Sequence, residues 1–324
     1  MKAIIFDRFG DPSEVLKVQD VPTPEPGRGE VRVRMISGPI NPSDLLVVRG
    51  EYGRLPTLPA TPGFEGVGVV EASGGGLLGK LRMGRRVAVL NSKGGNWQEQ
   101  VIVPAKQVVP IPSSIADEQA ATFFVNPASA LVMTQYILRV PRGAWLLQTA
   151  AGSALGRMVI RLGRHLGFRT INVVRRKEQA EELIKLGADA VIDSSQESIE
   201  EKVRVQFAID AVGGSTALSV VKALADGGRL IVYGTLSGEP IPLDSRLLMT
   251  GSRCIQGFWL SNWVRQQSPL TMLGLFRRIR RLMEAGVLHS EVAATFPIDQ
   301  IHTAIQEASK SGRSGKILLS LGTR

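Results

Sequence analysis

From Trp145 onward the chain alternates short apolar runs with amphipathic stretches. Trp145-Leu146-Leu147 reads as a buried strand, Thr149 to Ala154 as a turn of small residues, and Leu155 to about Leu166 as an amphipathic helix. Thr170 to Val174 is a second strand. Lys177 to Leu186 predicts a helix closed by Gly187, with strand Ala190–Ile192 after it. The rhythm continues through strand Phe207–Asp210, helix Ala217–Leu224, strand Arg229–Tyr233 ending at Gly234, and strand Cys254–Trp259. Strands alternating with helices imply a parallel, doubly wound sheet that binds ligands at the carboxyl ends of its strands.

The first 122 residues follow another pattern. Ala3–Phe6, Val31–Ile36, Gly63–Glu71, Gly84–Leu90 and Trp97–Val103 read as short strands, punctuated by Pro22, Pro24, Pro26 and Gly74-Gly75-Gly76. Many short strands with such punctuation predict a small barrel-like domain. Ile115 to Leu131 reads as helix, break, helix. Beyond Asn262, Leu275 to Ala285 forms an amphipathic helix, with Arg277, Arg278, Arg280 and Arg281 mostly off its apolar stripe. Gly315 to Ser320 reads as a strand returning to the first domain. The expected division is 1–122 completed by 262–324, and 123–261.

The segment from Trp145 to Val174 carries candidate chemistry. A strand, small-residue turn, helix and strand can bind a dinucleotide pyrophosphate at the helix N-terminus, because small residues let backbone N–H groups approach phosphate. The fingerprint is imperfect: Ala151-Gly152-Ser153-Ala154-Leu155-Gly156 has alanine and serine at the first two glycine positions. An acidic residue about 20 positions further on would accept a ribose hydroxyl. At that distance this chain has Arg175-Arg176-Lys177, and no carboxylate intervenes before Glu178. Cations there pair with a 2′-phosphate, arginine bidentately. The cofactor expected is therefore NADPH.

Composition narrows the alternatives. The formal charge is +10, but the excess is not gathered into a basic tail, so an anionic ligand fits at least as well as nucleic acid. Only three histidines (His165, His289, His302) and one cysteine (Cys254) occur, with no spacing suited to tetrahedral zinc; no metal is expected. A single cysteine fits a reducing compartment. No apolar run spans a bilayer, and Asp7 with Arg8 argues against a secretory leader, so the expected location is cytoplasmic.

Several motifs together resemble a known family. They are Ile40-Asn41-Pro42-Ser43-Asp44, Gly50-Glu51-Tyr52, Gly63-Phe64-Glu65-Gly66-Val67, Val125-Asn126-Pro127, the turn Ala150–Gly156, Val173-Val174-Arg175, Tyr233-Gly234 and Gly257-Phe258-Trp259-Leu260-Ser261. In this order they resemble the zinc-free branch of the medium-chain dehydrogenase/reductase superfamily over essentially the whole chain. The nearest likeness is to 2-enoyl thioester reductases, with quinone oxidoreductases beside them. The resemblance implies an α/β chain: a Rossmann sheet plus a GroES-like β-barrel-type domain. It implies hydride transfer from NADPH to an α,β-unsaturated thioester or a quinone, with an acyl carrier protein among the partners and a homodimer as the assembly; nucleic acid and membrane are not expected. The residue matching Tyr52 is the family's proposed proton donor, a role that suits a phenol protonated at neutral pH. The same likeness puts Asn126 near the nicotinamide, Gly152, Ser153, Ala154 and Leu155 on the pyrophosphate, and Arg175, Arg176 and Lys177 on the 2′-phosphate. Tyr233, Gly234, Thr235, Leu236, Phe258, Trp259, Leu260 and Ser261 would flank the cofactor, and Lys316 would reach it. Taken by themselves, Asn41 and Asp44 read as loop-structuring residues with a lesser chance of orienting Tyr52, and Lys316 as an exposed lysine.

Overall fold

Among the described residues, seven strands precede residue 126: β1 (Lys2–Ile5), β2 (Lys17–Asp20), β3 (Glu30–Pro39), β4 (Glu65–Ser73), β5 (Arg86–Leu90), β6 (Gln100–Pro104) and β7 (Val108–Pro110). Six follow: β8 (Trp145–Gln148), β9 (Arg169–Val174), β10 (Ala190–Asp193), β11 (Val205–Asp210), β12 (Leu224–Val232) and β13 (Cys254–Gly257). Last come β14 (Val292–Pro297) and β15 (Lys316–Ser320). These assignments come from a computed structural model, which describes residues 1–91, 94–310, 312 and 314–322, with Lys177 described by its backbone only. The chain divides into two compact units, Met1–Val125 with Gly274–Arg324, and Asn126–Leu273.

In the second unit all six strands are parallel, in the order β10-β9-β8-β11-β12-β13. Neighbouring strands leave β8 in opposite directions, so a crevice opens at the carboxyl ends of β8 and β11, where ligands of doubly wound sheets bind. Burial on both faces explains the near-continuous apolar runs: Leu146, Leu147, Ile171, Val173, Ala208 and Leu230 are all in the core. The strand expected over Cys254–Trp259 ends at Gly257, because Trp259 is the N-cap of a short helix, Leu260–Arg265.

The first unit is built on a seven-stranded sheet ordered β14-β15-β3-β4-β5-β7, with β6 also paired to β3 and β1–β2 as a separate ribbon. The C-terminal strand β15 lies antiparallel to β3, pairing Leu318 with Pro39. The expected strand at Gly63 begins two residues later, at Glu65. Gly63 has φ +102°, and a Cβ there would sit 2.4 Å from the Trp97 ring, so this residue turns the chain instead of extending it. Trp97 itself is fully buried and lies outside the strand expected to start with it. The amphipathic helix expected from Leu275 starts earlier, at Pro269, and runs to Glu284 with Leu275, Ile279, Leu282 and Met283 buried. No described helix is long and apolar enough to cross a membrane.

Candidate active site

Residues suited to holding a nucleotide gather at the carboxyl ends of the parallel strands. After β8 the chain turns through Thr149–Gly152 into the helix Ala154–Leu166, whose N-cap is Ser153; the Ser153 hydroxyl accepts a hydrogen bond from the Gly156 amide at 3.1 Å. Gly156 is required by packing, since a Cβ would lie 2.5 Å from the Ala151 carbonyl. Ala150 holds φ +49°, a left-handed conformation unusual for a residue with a side chain. Beneath the turn, the buried Gln148 amide donates to the Gly156 carbonyl (3.0 Å) and to Asn172 Oδ1 (2.7 Å). Gly152 and Ala154 are half-buried, Ser153 is exposed and Leu155 is buried. The turn therefore offers a helix N-terminus with small side chains around it.

Arg175 and Arg176 are both exposed at the carboxyl end of the adjacent strand β9, and Arg176 caps the helix Lys177–Leu186. The side chain expected of Lys177 lies outside the described residues. Gln179 approaches the turn from this second helix: its amide lies 2.7 Å from where a Gly152 Cβ would stand. Sequence reading passed over it, because only the fold brings the helix that carries it over the turn.

The next strand contributes a buried carboxylate. Asp210, at the end of β11, accepts from Thr149 Oγ1 (2.6 Å), from the Val212 amide (3.2 Å) and from the Gly213 amide (2.8 Å). Burial holds its carboxyl above the usual carboxylate range, and these hydrogen bonds pull the other way. Thr149 Oγ1 in turn accepts from the Ala211 amide (3.0 Å), which ties the small-residue turn after β8 to the loop after β11. That loop holds the next one: the Leu236 amide donates to Ala211 O (3.0 Å) and the Ser237 amide to Val212 O (2.8 Å). Tyr233, Gly234, Thr235 and Leu236 are fixed in this way. The Tyr233 hydroxyl is buried with no hydrogen-bond partner among the described residues, and burial, with the Asp210 charge adding, raises its pKa. Phe258, Trp259, Leu260 and Ser261 are half-buried beyond β13. Asn126 is half-buried in the helix Val125–Leu131 at the start of this unit.

Tyr52 and Lys316 lie in the other unit. The helix Pro42–Arg49 stops at Gly50 in a left-handed conformation (φ 79°), and Tyr52 follows in the loop, half-buried against the core. Its ring centroid stands 5.4 Å from that of Phe64, inclined by 40°. Below it lies a buried polar cluster. Asp44 accepts from the Asn41 amide (2.8 Å) and the Phe64 amide (3.0 Å). Asn41 Nδ2 donates to Glu65 Oε1 (3.1 Å), and Glu65 Oε2 accepts from the amides of Phe124 (3.0 Å) and Val125 (2.9 Å). Lys316 Nζ donates to Asn41 Oδ1. The exposed lysine expected at 316 is instead only 4% accessible, because β15 lies between β14 and β3 and the Lys316 ammonium engages the buried Asn41. Burial pushes the Asp44 carboxyl up to about 7; the Glu65 charge adds to this, and the two amides and the Lys316 ammonium oppose it. Asn41 and Asp44, expected in a loop, open a helix and are buried.

The family comparisons agree with both halves. Residues 27–113 match the alcohol dehydrogenase GroES-like domain, and residues 154–277 match the family described as zinc-binding dehydrogenase. Among the described residues no three His, Cys, Asp or Glu side chains come together in a way that could hold a metal ion. The human mitochondrial enoyl-[acyl-carrier-protein] reductase is 30% identical over 332 positions, covering 99% of this chain and 89% of that protein. A Bacillus thuringiensis protein provisionally named NADPH:quinone reductase is 34% identical with TM-score 0.91, covering 98% of both chains. A mycobacterial protein solved in complex with NADPH is 26% identical with TM-score 0.89, covering 99% of both. The chain thus belongs to the medium-chain dehydrogenase/reductase superfamily, with enoyl thioester reductases and quinone oxidoreductases as its relatives.

Proposed function

We propose that this chain is an NADPH-dependent reductase of 2-enoyl thioesters, either enoyl-CoA or enoyl carried on an acyl carrier protein. The observation that carries the proposal is the pairing of the Ser153-capped phosphate turn with two exposed arginines at the end of β9, in a chain related along its length to an enoyl thioester reductase. The residues present fit the cofactor. A pyrophosphate suits the helix N-terminus beside Gly152, and Arg175 and Arg176 suit a 2′-phosphate, with no carboxylate between Gly156 and Glu178 to repel it. Tyr233–Leu236 and Phe258–Ser261 wall the nucleotide, and Asn126 serves the nicotinamide end.

Bound NADPH supplies the hydride, a proton with two electrons, to the β-carbon of the substrate. The π electrons of the double bond move toward the thioester carbonyl, whose oxygen gains negative charge. Tyr52 hydrogen-bonds that oxygen as its charge develops and passes the phenol proton to the α-carbon, and solvent restores the proton to the phenol. The reactants and the saturated thioester then balance: one hydride and one proton are added.

The chain's partners are a small-molecule acyl thioester and, for the longer assembly, a second copy of itself paired along the edge strand β13, where Cys254, Gln256 and Gly257 are exposed. The setting proposed is cytoplasmic, a reducing compartment that a single cysteine fits; the human relative is named mitochondrial. The quinone reading is favoured by the Bacillus neighbour and needs no proton donor at Tyr52. Oxidation of NADPH measured side by side with crotonyl-CoA, a medium-chain enoyl-CoA and 9,10-phenanthrenequinone separates the two. Fast turnover of a thioester supports the proposal. Rapid quinone reduction with idle thioesters replaces it with the alternative.

A further inference from the structure

We propose that Asp44, locked to Lys316 through Asn41, is the positioning residue that sets the Tyr52 ring. The inference rests on the reading of Tyr52 as proton donor and adds to it the device that holds the phenol. Two of the supports of Tyr52 lead back to Asp44. One is the helix Pro42–Arg49, only eight residues long, which delivers the chain to Gly50 and Tyr52; the Glu51 amide donates back to the Leu46 carbonyl at 2.9 Å, so the loop is an extension of the helix. The other is Phe64, whose ring lies against that of Tyr52.

One carboxylate grips both supports. Asp44 Oδ2 accepts from the Asn41 amide at the helix start, and Asp44 Oδ1 accepts from the Phe64 amide. With two turns of helix between Asn41 and Gly50, fixing its first turn fixes its end. Asp44 is fully buried, so these bonds do not compete with water and are strong in their low-dielectric setting. Asn41 then passes the constraint on. Its side-chain oxygen accepts from Lys316 and its amide donates to Glu65, and the Ile40 amide donates to Ile317 O at 3.0 Å. The C-terminal strand is therefore clamped to the same point as the tyrosine helix.

A merely structural role does not explain this choice of residues. Two buried carboxylates and an ammonium are costly to desolvate, and well-packed apolar side chains of like volume are often as stabilising. What such a network gives is one geometry, since each member has a single satisfied arrangement. Proton delivery needs one geometry, because a displacement of about 1 Å can cost about 10²-fold in rate.

The chain has three tyrosines, Tyr52, Tyr136 and Tyr233, so the full-length protein labelled with 3-fluorotyrosine gives three fluorine resonances, with the line of Tyr52 identified by its loss in Tyr52→Phe. Asp44→Asn and Lys316→Met should each shift or broaden the Tyr52 line and leave the other two in place. Both should lower kcat for crotonyl-CoA by up to about 10²-fold while the NADPH dissociation constant stays within twofold. In a Tyr52→Phe background, Asp44→Asn should lower kcat little further. An unmoved Tyr52 line in both variants overturns the proposal, as does an equal loss of kcat with and without the Tyr52 hydroxyl. A tenfold weaker NADPH affinity in Lys316→Met also overturns it and returns Lys316 to the cofactor. Should Asp44→Asn fail to fold, Lys316→Met carries the test alone. A Tyr52→Phe variant of unchanged turnover overturns the proton-donor reading, and the fluorine line still decides whether Asp44 positions the ring.

Discussion

Each unit buries an aspartate beside its candidate chemistry; both accept from backbone amides, and they differ in the charges that surround them. Asp210, in the nucleotide-binding unit, is held by neutral donors: one hydroxyl and the amides of the two residues at 212 and 213. Asp44, in the barrel unit, shares its surroundings with a second carboxylate and an ammonium contributed by strands far apart in the chain. The first arrangement is a strand-end turn whose own amides, with the Thr149 hydroxyl at the end of the neighbouring strand β8, meet the demand of the carboxylate. The second exists only when residues 41, 65 and 316 have been brought together. Local satisfaction yields a rigid loop for binding, and long-range satisfaction yields a clamp that links separate parts of the chain.

The largest effect expected is on cofactor choice, which depends on the local side of this contrast. Replacing Arg175 and Arg176 together with alanine removes charge-assisted hydrogen bonds to a 2′-phosphate, each of about 1.5–3 kcal/mol. The NADPH dissociation constant should rise by about 10²-fold or more, with little change for NADH. Titration of both nucleotides by fluorescence checks this, and equal weakening of the two refutes the assignment.

The same contrast explains what could be read in the sequence. The phosphate turn and the cationic end of β9 lie within about 30 residues of each other and follow one βαβ pattern, so spacing alone pointed to them. The strand ending at Asp210 was legible too, but not the part Asp210 plays, because its partner Thr149 lies 61 positions away. Nor was Lys316. Its partner Asn41 is 275 positions away, and nothing in the residues around 316 distinguishes a buried lysine from a surface one. Resemblance assigned it to the cofactor; the bond from its ammonium to Asn41 belongs to a burial of which the sequence carries no sign. Gly63 failed for a similar reason: its left-handed turn answers to the ring of Trp97, 34 residues on. Trp259 looked like the end of a strand because apolar side chains suit both a strand end and the helix cap that it forms.

Next in size is the cost of breaking the local arrangement. Thr149→Val keeps the shape but deprives Asp210 of its hydroxyl donor and the Ala211 amide of its acceptor. Leaving such buried groups unsatisfied costs about 1–3 kcal/mol, so the thermal midpoint should fall and amide exchange at Ala211 should quicken. If Ala211 stays protected, the tie between the turn and the loop after β11 is not the one described.

The long-range cluster should appear in the pH dependence of stability. Asp44 is raised from 3.8 to about 7 in the folded chain, so between those values the native state binds more protons than the unfolded state. Stability attributable to this group is therefore greatest below about pH 4 and declines as pH rises toward 7, with a slope of at most about 1.4 kcal/mol per pH unit. Asp210, raised in the same direction, contributes with the same sign. Chemical unfolding of wild type and Asp44→Asn across pH 4 to 7 should show a shallower decline in the variant. Parallel profiles would mean that Asp44 titrates as an ordinary carboxylate and that the contrast with Asp210 is one of partners only.

The smallest effect tests strain at the phosphate turn. Ala150 sits at φ +49°, where an L side chain costs about 1–2 kcal/mol and glycine costs nothing sterically. Glycine also loses more freedom on folding, about 0.5–1 kcal/mol relative to alanine, so Ala150→Gly should stabilise the nucleotide-binding unit by no more than about 1.5 kcal/mol. The same change loosens the turn before binding, and NADPH affinity should drop by a small factor as the ligand orders it. Opposite signs in the melting and binding experiments are the outcome expected if the chain holds a strained turn ready for phosphate. A variant that melts lower, or that binds more tightly, would show that the left-handed alanine is neither strained nor preorganised.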